Sequence, residues 1–381
     1  MHQGSPVQDN PSLDVLRGVA AVLVLLAHAR YFPFLIAGLP LTGTGAVQKV
    51  LLLPTSFGRE SVGVFFVLSG YLVGGQALRQ AREGRFSWRT YLVKRLSRLW
   101  VVLLPGLALT AALDGVSRHY YPGRLEGLAA DWHASAATAA CNAAFLQSSR
   151  CAVFGSNDSL WSLSYELWFY VVFAGGTLAW YAVRRGRVAA ALLPGLVAVG
   201  GVVVFGTALL WLAPAWLVGV GVAARAGRVP LARRRRALPV AVLVLGAALL
   251  ASGVLGLDDR PKFLLVGAAA APLVLVLVAR NPVPVRGRRL FRAAAWSGTW
   301  SFSLYVFHLP FVQLAALVLA DRTSLLRSTN VPLVYALAVL VAAACWPLSV
   351  AFEQQTPHVR ALLLAVTTRP RHARRWSGPV G

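Results

Sequence analysis

The sequence predicts an all-α, polytopic membrane protein of about ten transmembrane helices, with both termini in the cytoplasm. Three observations carry that prediction. Of 381 residues, 57% are apolar and only 13% are charged, and the mean hydropathy is +0.63. A soluble chain carries about 25% charged residues, so too little charge is present to wet a folded surface, and the same hydrophobicity excludes a disordered chain. Uncharged runs long enough to cross a ~30 Å hydrocarbon core recur from end to end. Lys and Arg gather in alternate connections between those runs.

The first span covers 13–30. The segment before it, 1–12, lacks the basic n-region of a signal peptide, and no small-residue cleavage site follows, so this run is read as a retained helix. The next spans are 61–78, 99–114 and 159–181. From Val188 to Ala224 no charge interrupts the chain, which is too long for one helix at ~1.5 Å per residue and just enough for a tight hairpin. That run is therefore divided into 188–205 and 208–224. Spans at 238–256, 263–279, 294–320 and 332–352 complete the set. Residues 13–360 form one transmembrane domain and 361–381 a basic cytoplasmic tail, of which the Pro-containing stretch 367–381 is expected to be disordered.

A net charge of +24 would suggest nucleic acid in a soluble chain. Its distribution argues otherwise. With the N-terminus inside, the inner segments hold 27 of the 37 basic residues, and the outer ones hold eight of the thirteen acidic residues, Asp114, Glu126, Asp131, Asp158, Asp258 and Asp259 among them. The charge therefore sets topology and contact with anionic lipid, in a cell membrane expected to be the bacterial plasma membrane. Two longer outer connections, 31–60 and 115–158, are candidates for shaping an external acceptor site. The second holds Cys141 and Cys151, read as a disulfide in an oxidising compartment, against the alternative of two unpaired small residues. Cys345 lies among apolar neighbours with no His or Cys at metal-ligand spacing. It reads as a packing residue, and no metal site is expected.

Polar residues inside the spans are the informative ones, since each costs several kcal/mol unless paired, hydrated or used. In LDVLRGVAAVLVLLAHARYF, Arg17 and His28 are eleven positions apart. At 100° per residue they share one helix face, roughly 16 Å apart along the axis. Arg17 alone would read as an interfacial anchor paired with Asp14, and His28 as a hydrogen-bonded interfacial histidine. Ser69, Gly70 and Tyr71 fall near mid-membrane in the second span, where Ser-Gly is usually a packing or kink element. Glu166, in WSLSYELWFY, stands about two turns below the outer surface, where a bare carboxylate is expensive and points to function. SFSLYVFHLPF sets Ser301, Ser303, Tyr305 and His308 ahead of Pro310, which breaks the helical hydrogen-bond ladder.

Taken in order, LDVLRGVAAVLVLLAH, FFVLSGYL, the basic KRLSRLW, WSLSYELWFY and SFSLYVFHLPF resemble the acyltransferase-3 family of integral-membrane O-acyltransferases. The resemblance covers roughly Leu13 to Arg360. It implies transfer of an acyl group, most often acetyl, from acyl-CoA on the cytoplasmic side to a hydroxyl of a carbohydrate or glycosylated acceptor, with no permanently bound cofactor. The family's Arg and His fall on Arg17 and His28, its Trp-Ser-Leu-Ser-x-Glu element on Trp161 to Ser164 and Glu166, and its Ser-Leu-Tyr and His-Pro-like element on Ser303, Tyr305 and His308. Gly63 stands where the family commonly has Asp, and Val101 where Pro often follows the basic pair. FEQQTPHVR only loosely resembles the family's closing segment, so no role is carried onto Glu353 or His358. No fused hydrolase-like domain follows the tenth span, so direct transfer or a separate partner is expected.

The expected site follows from these placements. Arg17, Arg95 and Arg98 at the inner rim would grip the phosphates of acyl-CoA. His28 would take a proton from the attacking hydroxyl, with Glu166 holding that imidazole or orienting the sugar. Ser69, Tyr71, Trp161, Ser164, Ser303, Tyr305 and His308 are the candidate substrate contacts, and a covalent acyl-enzyme is the alternative route. The competing class is a proton-coupled secondary transporter of a small polar solute, which also uses intramembrane Glu and His. No duplicated pattern of interrupted helices supports it.

Overall fold

The computed structural model describes residues 10–38, 45–125, 132–226, 231–278, 289–320, 322 and 330–368. Residues 1–9, most of the predicted N-terminal segment, and 369–381 of the predicted tail lie outside the described residues, as do Glu126 and Asp131. Among the described residues the chain is helical, with isolated bridges only in the segment 133–154.

Helix α1 is Pro11–Ile36. Asn10 starts it, its side chain accepting from the Ser12 amide, and Pro11 follows where the lost N–H costs nothing. A short helix α2 (Ala46–Leu52) leads to α3 (Gly58–Ser69), which passes through a π-turn at Gly70–Gly74 into α4 (Gly75–Arg82). Helix α5 (Trp88–Tyr120) begins at the cap Ser87. Short helices α6 (Pro122–Leu125) and α7 (Ala136–Ala143) precede α8 (Trp161–Arg184).

The predicted hairpin is present within α9 (Val188–Arg225), two helical arms meeting at Gly206, whose φ of +61° suits a residue without Cβ. Phe205 stacks on Tyr165 and Trp168 near the start of α8, while Pro194 and Ala198 lie against Gly175 further along it. The second arm then returns. Trp216 packs on Phe169 and Phe173, and Ala223 meets Gly75. The remaining helices are α10 (Leu231–Val254), α11 (Asp259–Leu277), α12 (Arg289–Thr299), α13 (Ser301–Leu319), α14 (Asn330–Ala351) and α15 (Thr356–Thr368). Eight segments are long and apolar enough to cross a membrane, and Pro261–Leu277 is a shorter apolar helix. Counting the two arms of α9 separately and including this shorter helix, the described residues hold ten apolar helical segments, the number that hydropathy predicts.

Helices approach closely where both sides are small. A Cβ on Gly298 would lie 1.9 Å from the Asp14 carbonyl oxygen, and one on Gly18 2.1 Å from Ser297 Oγ, which docks α12 on α1. Gly70 and Gly219 do the same for the π-turn and the second arm of α9.

One end of the bundle is ordered by polar bonds. Cys141 and Cys151 are joined by a disulfide. Asp114 accepts from the Ser156 amide at 2.9 Å beside Gly155, where φ is +58° and a Cβ would collide with that carboxylate. Pro310 cannot bond the carbonyl four residues back, and Asn157 Nδ2 takes up this Val306 oxygen at 2.9 Å. The opposite, basic end gathers Asn10, whose amide donates to the Leu277 carbonyl, and Arg185, which donates to the carbonyls of Ala81 and Arg82. There Arg89 donates to Leu364 of α15, so both described chain ends lie at this end.

Candidate functional site

Five helices, α1, α3, α5, α8 and α13, and the π-turn between α3 and α4 enclose a cavity of about 860 Å³, open space at its mouth included. Helical periodicity aims its polar lining. Arg95 and Arg98 on α5 are three apart, Ser162, Glu166 and Tyr170 on α8 are four apart, and Ser301 and Tyr305 on α13 are four apart, so each set lies along one face. Arg17 of α1 joins them. Its guanidinium bonds Asp14 Oδ1 at 2.8 Å, yet it still lines the cavity, beside Arg98 and Glu353. Three cations thus face one end of a single space. A smaller polar pocket of about 380 Å³, lined by Arg85, Ser87, Lys94 and Gln80 among others, adjoins it through the shared Arg95.

Midway along the cavity one oxygen of the Glu166 carboxylate is engaged. Tyr170 donates to Glu166 Oε1, Ser69 Oγ is 3.4 Å from that oxygen and 3.1 Å from Tyr170 Oη, and Trp216 Nε1 donates to Ser69 at 3.2 Å. The guanidinium of Arg95 stands over the rings of Tyr91 and Tyr170, at 5.5 and 5.9 Å, and donates to Gln76. The π-turn has a consequence here. Its extra residue per turn leaves Ser69 on the cavity wall while Tyr71 packs into a separate apolar cluster with Val222 and Val266.

At the far end, Tyr305 Oη pairs with Ser162 Oγ at 2.7 Å, and its ring meets Phe65 edge-on. Directly behind it stand two histidines. His28 Nδ1 is 2.8 Å from His308 Nε2, with the rings stacked at 5.0 Å, and His308 Nδ1 reaches the carbonyls of Leu304 and Tyr305, both at 2.9 Å. His308 is buried, whereas His28 as a whole residue is only partly buried, and its ring touches Phe32.

The structure thus brings Arg17, Arg95, Arg98, Ser69, Glu166 and Tyr305 onto one cavity, whereas His28 and His308 do not line it: His308 stands behind Tyr305, with ring centres 6.2 Å apart, and His28 is bonded to His308. The carboxylate of Glu166 bonds Tyr170 and Ser69, and the bonded neighbour of His28 is His308. Other predicted contacts lie off the wall. Tyr71 packs as described. Trp161 meets Phe66 and Tyr165 edge-on and Phe263 at a tilt, Ser164 Oγ bonds the Trp161 carbonyl in its own helix, and Ser303 offers its backbone amide to Glu353 Oε2 at 2.8 Å while its Oγ is buried without a partner among the described residues.

Several lining or supporting groups escaped the sequence reading. Tyr170 and Ser162 stand four residues either side of Glu166, a spacing that would have found them. Gln76 and Glu353 carry no such signal. Glu353, left without a role because its segment matched the family poorly, meets α13 through Ser303 and faces Arg17 and Arg98.

A family model described as an acyltransferase domain, that of acyltransferase-3, matches residues 10–350. No curated protein and no solved structure matches the chain. The matched stretch takes in Arg17, His28, Ser69, Arg95, Arg98, Glu166, Tyr305 and His308, and every helix that lines the cavity lies wholly within it. On that match, the chain belongs to the acyltransferase-3 family and is a multi-pass membrane acyltransferase.

Proposed function

We propose that this protein moves an acyl group, acetyl by preference, from acyl-CoA to a hydroxyl of a carbohydrate or glycosylated acceptor. The observation that carries the reading is a single cavity with Arg17, Arg95 and Arg98 toward one end and Tyr305, backed by the His28–His308 pair, at the other. Phosphates of the donor suit the arginine end, since a guanidinium forms paired, charge-assisted bonds with them, and the adjoining pocket with Arg85 and Lys94 adds two cations. That end would face the cytoplasm, where short cationic loops are retained. The apolar wall of Val62, Phe65, Phe66 and Leu99 suits the uncharged acyl-pantetheine arm.

The reaction then needs one proton moved. An acceptor hydroxyl arriving from the disulfide end gives its proton to His28 as its oxygen attacks the thioester carbonyl carbon. The C–O bond forms, the C–S bond breaks, and the imidazolium returns the proton to the departing sulfur as free thiol. General-base help of this kind contributes about 10² to 10⁴ in rate. The Ser162–Tyr305 hydroxyl pair is the closest donor set to that end of the cavity for the developing oxyanion. Glu166, locked by Tyr170 and Ser69, orders the middle of the wall.

Purified protein in nanodiscs tests the reading. Free thiol should appear from acetyl-CoA faster when a candidate glycan is added, with acetylated glycan as product. Solute counterflow without thiol release would instead indicate a transporter. Mass spectrometry of envelope and secreted glycans with and without the gene would name the acceptor.

A further inference from the structure

The protonation of the histidine pair follows from its partners. The two groups that His308 Nδ1 reaches, the carbonyls of Leu304 and Tyr305, can only accept, so Nδ1 must carry a hydrogen. A second hydrogen on Nε2 would place a full charge on a side chain that is 1% exposed, with no anionic group among its bonded partners to offset the lost hydration. Nε2 is therefore the acceptor of the 2.8 Å bond, and His28 Nδ1 is its donor. This chain of donors and acceptors puts a hydrogen on His28 Nδ1, and in the neutral ring Nε2 is then the nitrogen with the free lone pair. Among the described residues Nε2 makes no hydrogen bond, and His28 is only partly buried.

We propose that His308 is a positioning residue that holds His28 in its Nδ1–H form, so that Nε2 is the nitrogen that takes the acceptor's proton. The catalytic half of this statement rests on the function proposed above, while the tautomer itself does not. The backbone of α13 sets the device. His308 lies two residues before Pro310, and the Val306 carbonyl freed there is tied down by Asn157, which holds this turn while the carbonyls of 304 and 305 orient the ring. In the transfer step, the acceptor's O–H bond breaks and Nε2 gains the proton. His28 then carries both protons, with Nδ1–H still held by the neutral His308. Nε2 gives its proton to the thiolate sulfur after the C–S bond breaks, and the pair returns to its starting form. In an imidazole free to choose, the common Nε2–H form would present a donor where a base is required.

Two measurements test this. The first is solid-state NMR of the ¹⁵N-histidine-labelled full chain in nanodiscs at pH 7.5, with the His28 signals identified by their loss in His28→Asn. A protonated Nδ1 and an unprotonated Nε2 are expected. An Nε2–H form or an imidazolium overturns the proposal, and this outcome is independent of whether the chain transfers acyl groups. The second is steady-state kinetics on two variants. His308→Leu, which removes the acceptor, should lower kcat by about 10² to 10⁴ with KM for acetyl-CoA within about twofold of wild type. His308→Gln offers its side-chain carbonyl to His28 Nδ1 and should stay within about tenfold of wild type. Equal losses in both variants, each eluting as folded protein, would overturn the positioning role, as would a change confined to KM.

Discussion

Arg17 and His28 share one face of α1 yet meet different surroundings. Arg17 keeps its bond to Asp14 and still faces the cavity, so the anchoring role that its sequence context suggests and the binding role coexist in one guanidinium. Replacing it removes one charge-assisted partner for a phosphate. Arg17→Ala should raise KM for acetyl-CoA roughly tenfold to a hundredfold, given ~1.5–3 kcal/mol for a hydrogen bond to a charged group, with KM for the acceptor little changed. Unchanged donor affinity would move the phosphate contacts to Arg98 and the pocket of Arg85 and Lys94. His28→Ala should leave a folded, inserted protein that has lost at least ~10² in turnover, measured as acceptor-dependent thiol release. Full turnover in that variant would remove His28 from the reaction. Arg17, His28 and Glu166 were legible one by one because an intramembrane polar residue is costly and stands out. Tyr170 hid among aromatic residues that a membrane helix carries anyway.

Among the helices, close approach is set by glycine. The α1–α12 contact leaves no space for a side chain at Gly298, whose Cβ would overlap the Asp14 carbonyl, and backbone cannot move aside as a flexible side chain can. Gly298→Val should therefore cost on the order of 1–3 kcal/mol or more and lower the melting temperature in detergent, because it separates α12 from the helix that carries Arg17. Gly115→Ala, where nothing lies within 4 Å, is the matched control and should melt as wild type. At the opposite end, the disulfide closes a ten-residue separation worth about 2–3 kcal/mol in the loop-entropy account. Cys141→Ser should melt lower than wild type in oxidising buffer and alike in reductant. Gly206 illustrates how far hydropathy reaches: the length of the uncharged run demanded a turn, and the position of the turn within it needed the one residue whose left-handed backbone carries no steric penalty.

Across the molecule, charge bias and structure meet at the basic end, where Asn10, Arg185 and Leu364 all make their contacts and where the arginines of the cavity open. If that end is cytoplasmic, an impermeant maleimide added to intact cells should label Lys49→Cys, exposed near the disulfide end, and leave exposed Arg187→Cys unlabelled until the membrane is permeabilised. The reverse pattern would invert the topology. The all-α polytopic class, the order of the apolar segments and the helix face that each polar residue shares were readable in the linear chain because hydropathy and helical period are properties of neighbouring residues. Contacts between distant ones are not. That His28 bonds His308, 280 positions away, that Glu166 is held by Ser69, and that Glu353 reaches Ser303 depended on which helix packs beside which, and on glycines that bring those helices within bonding distance.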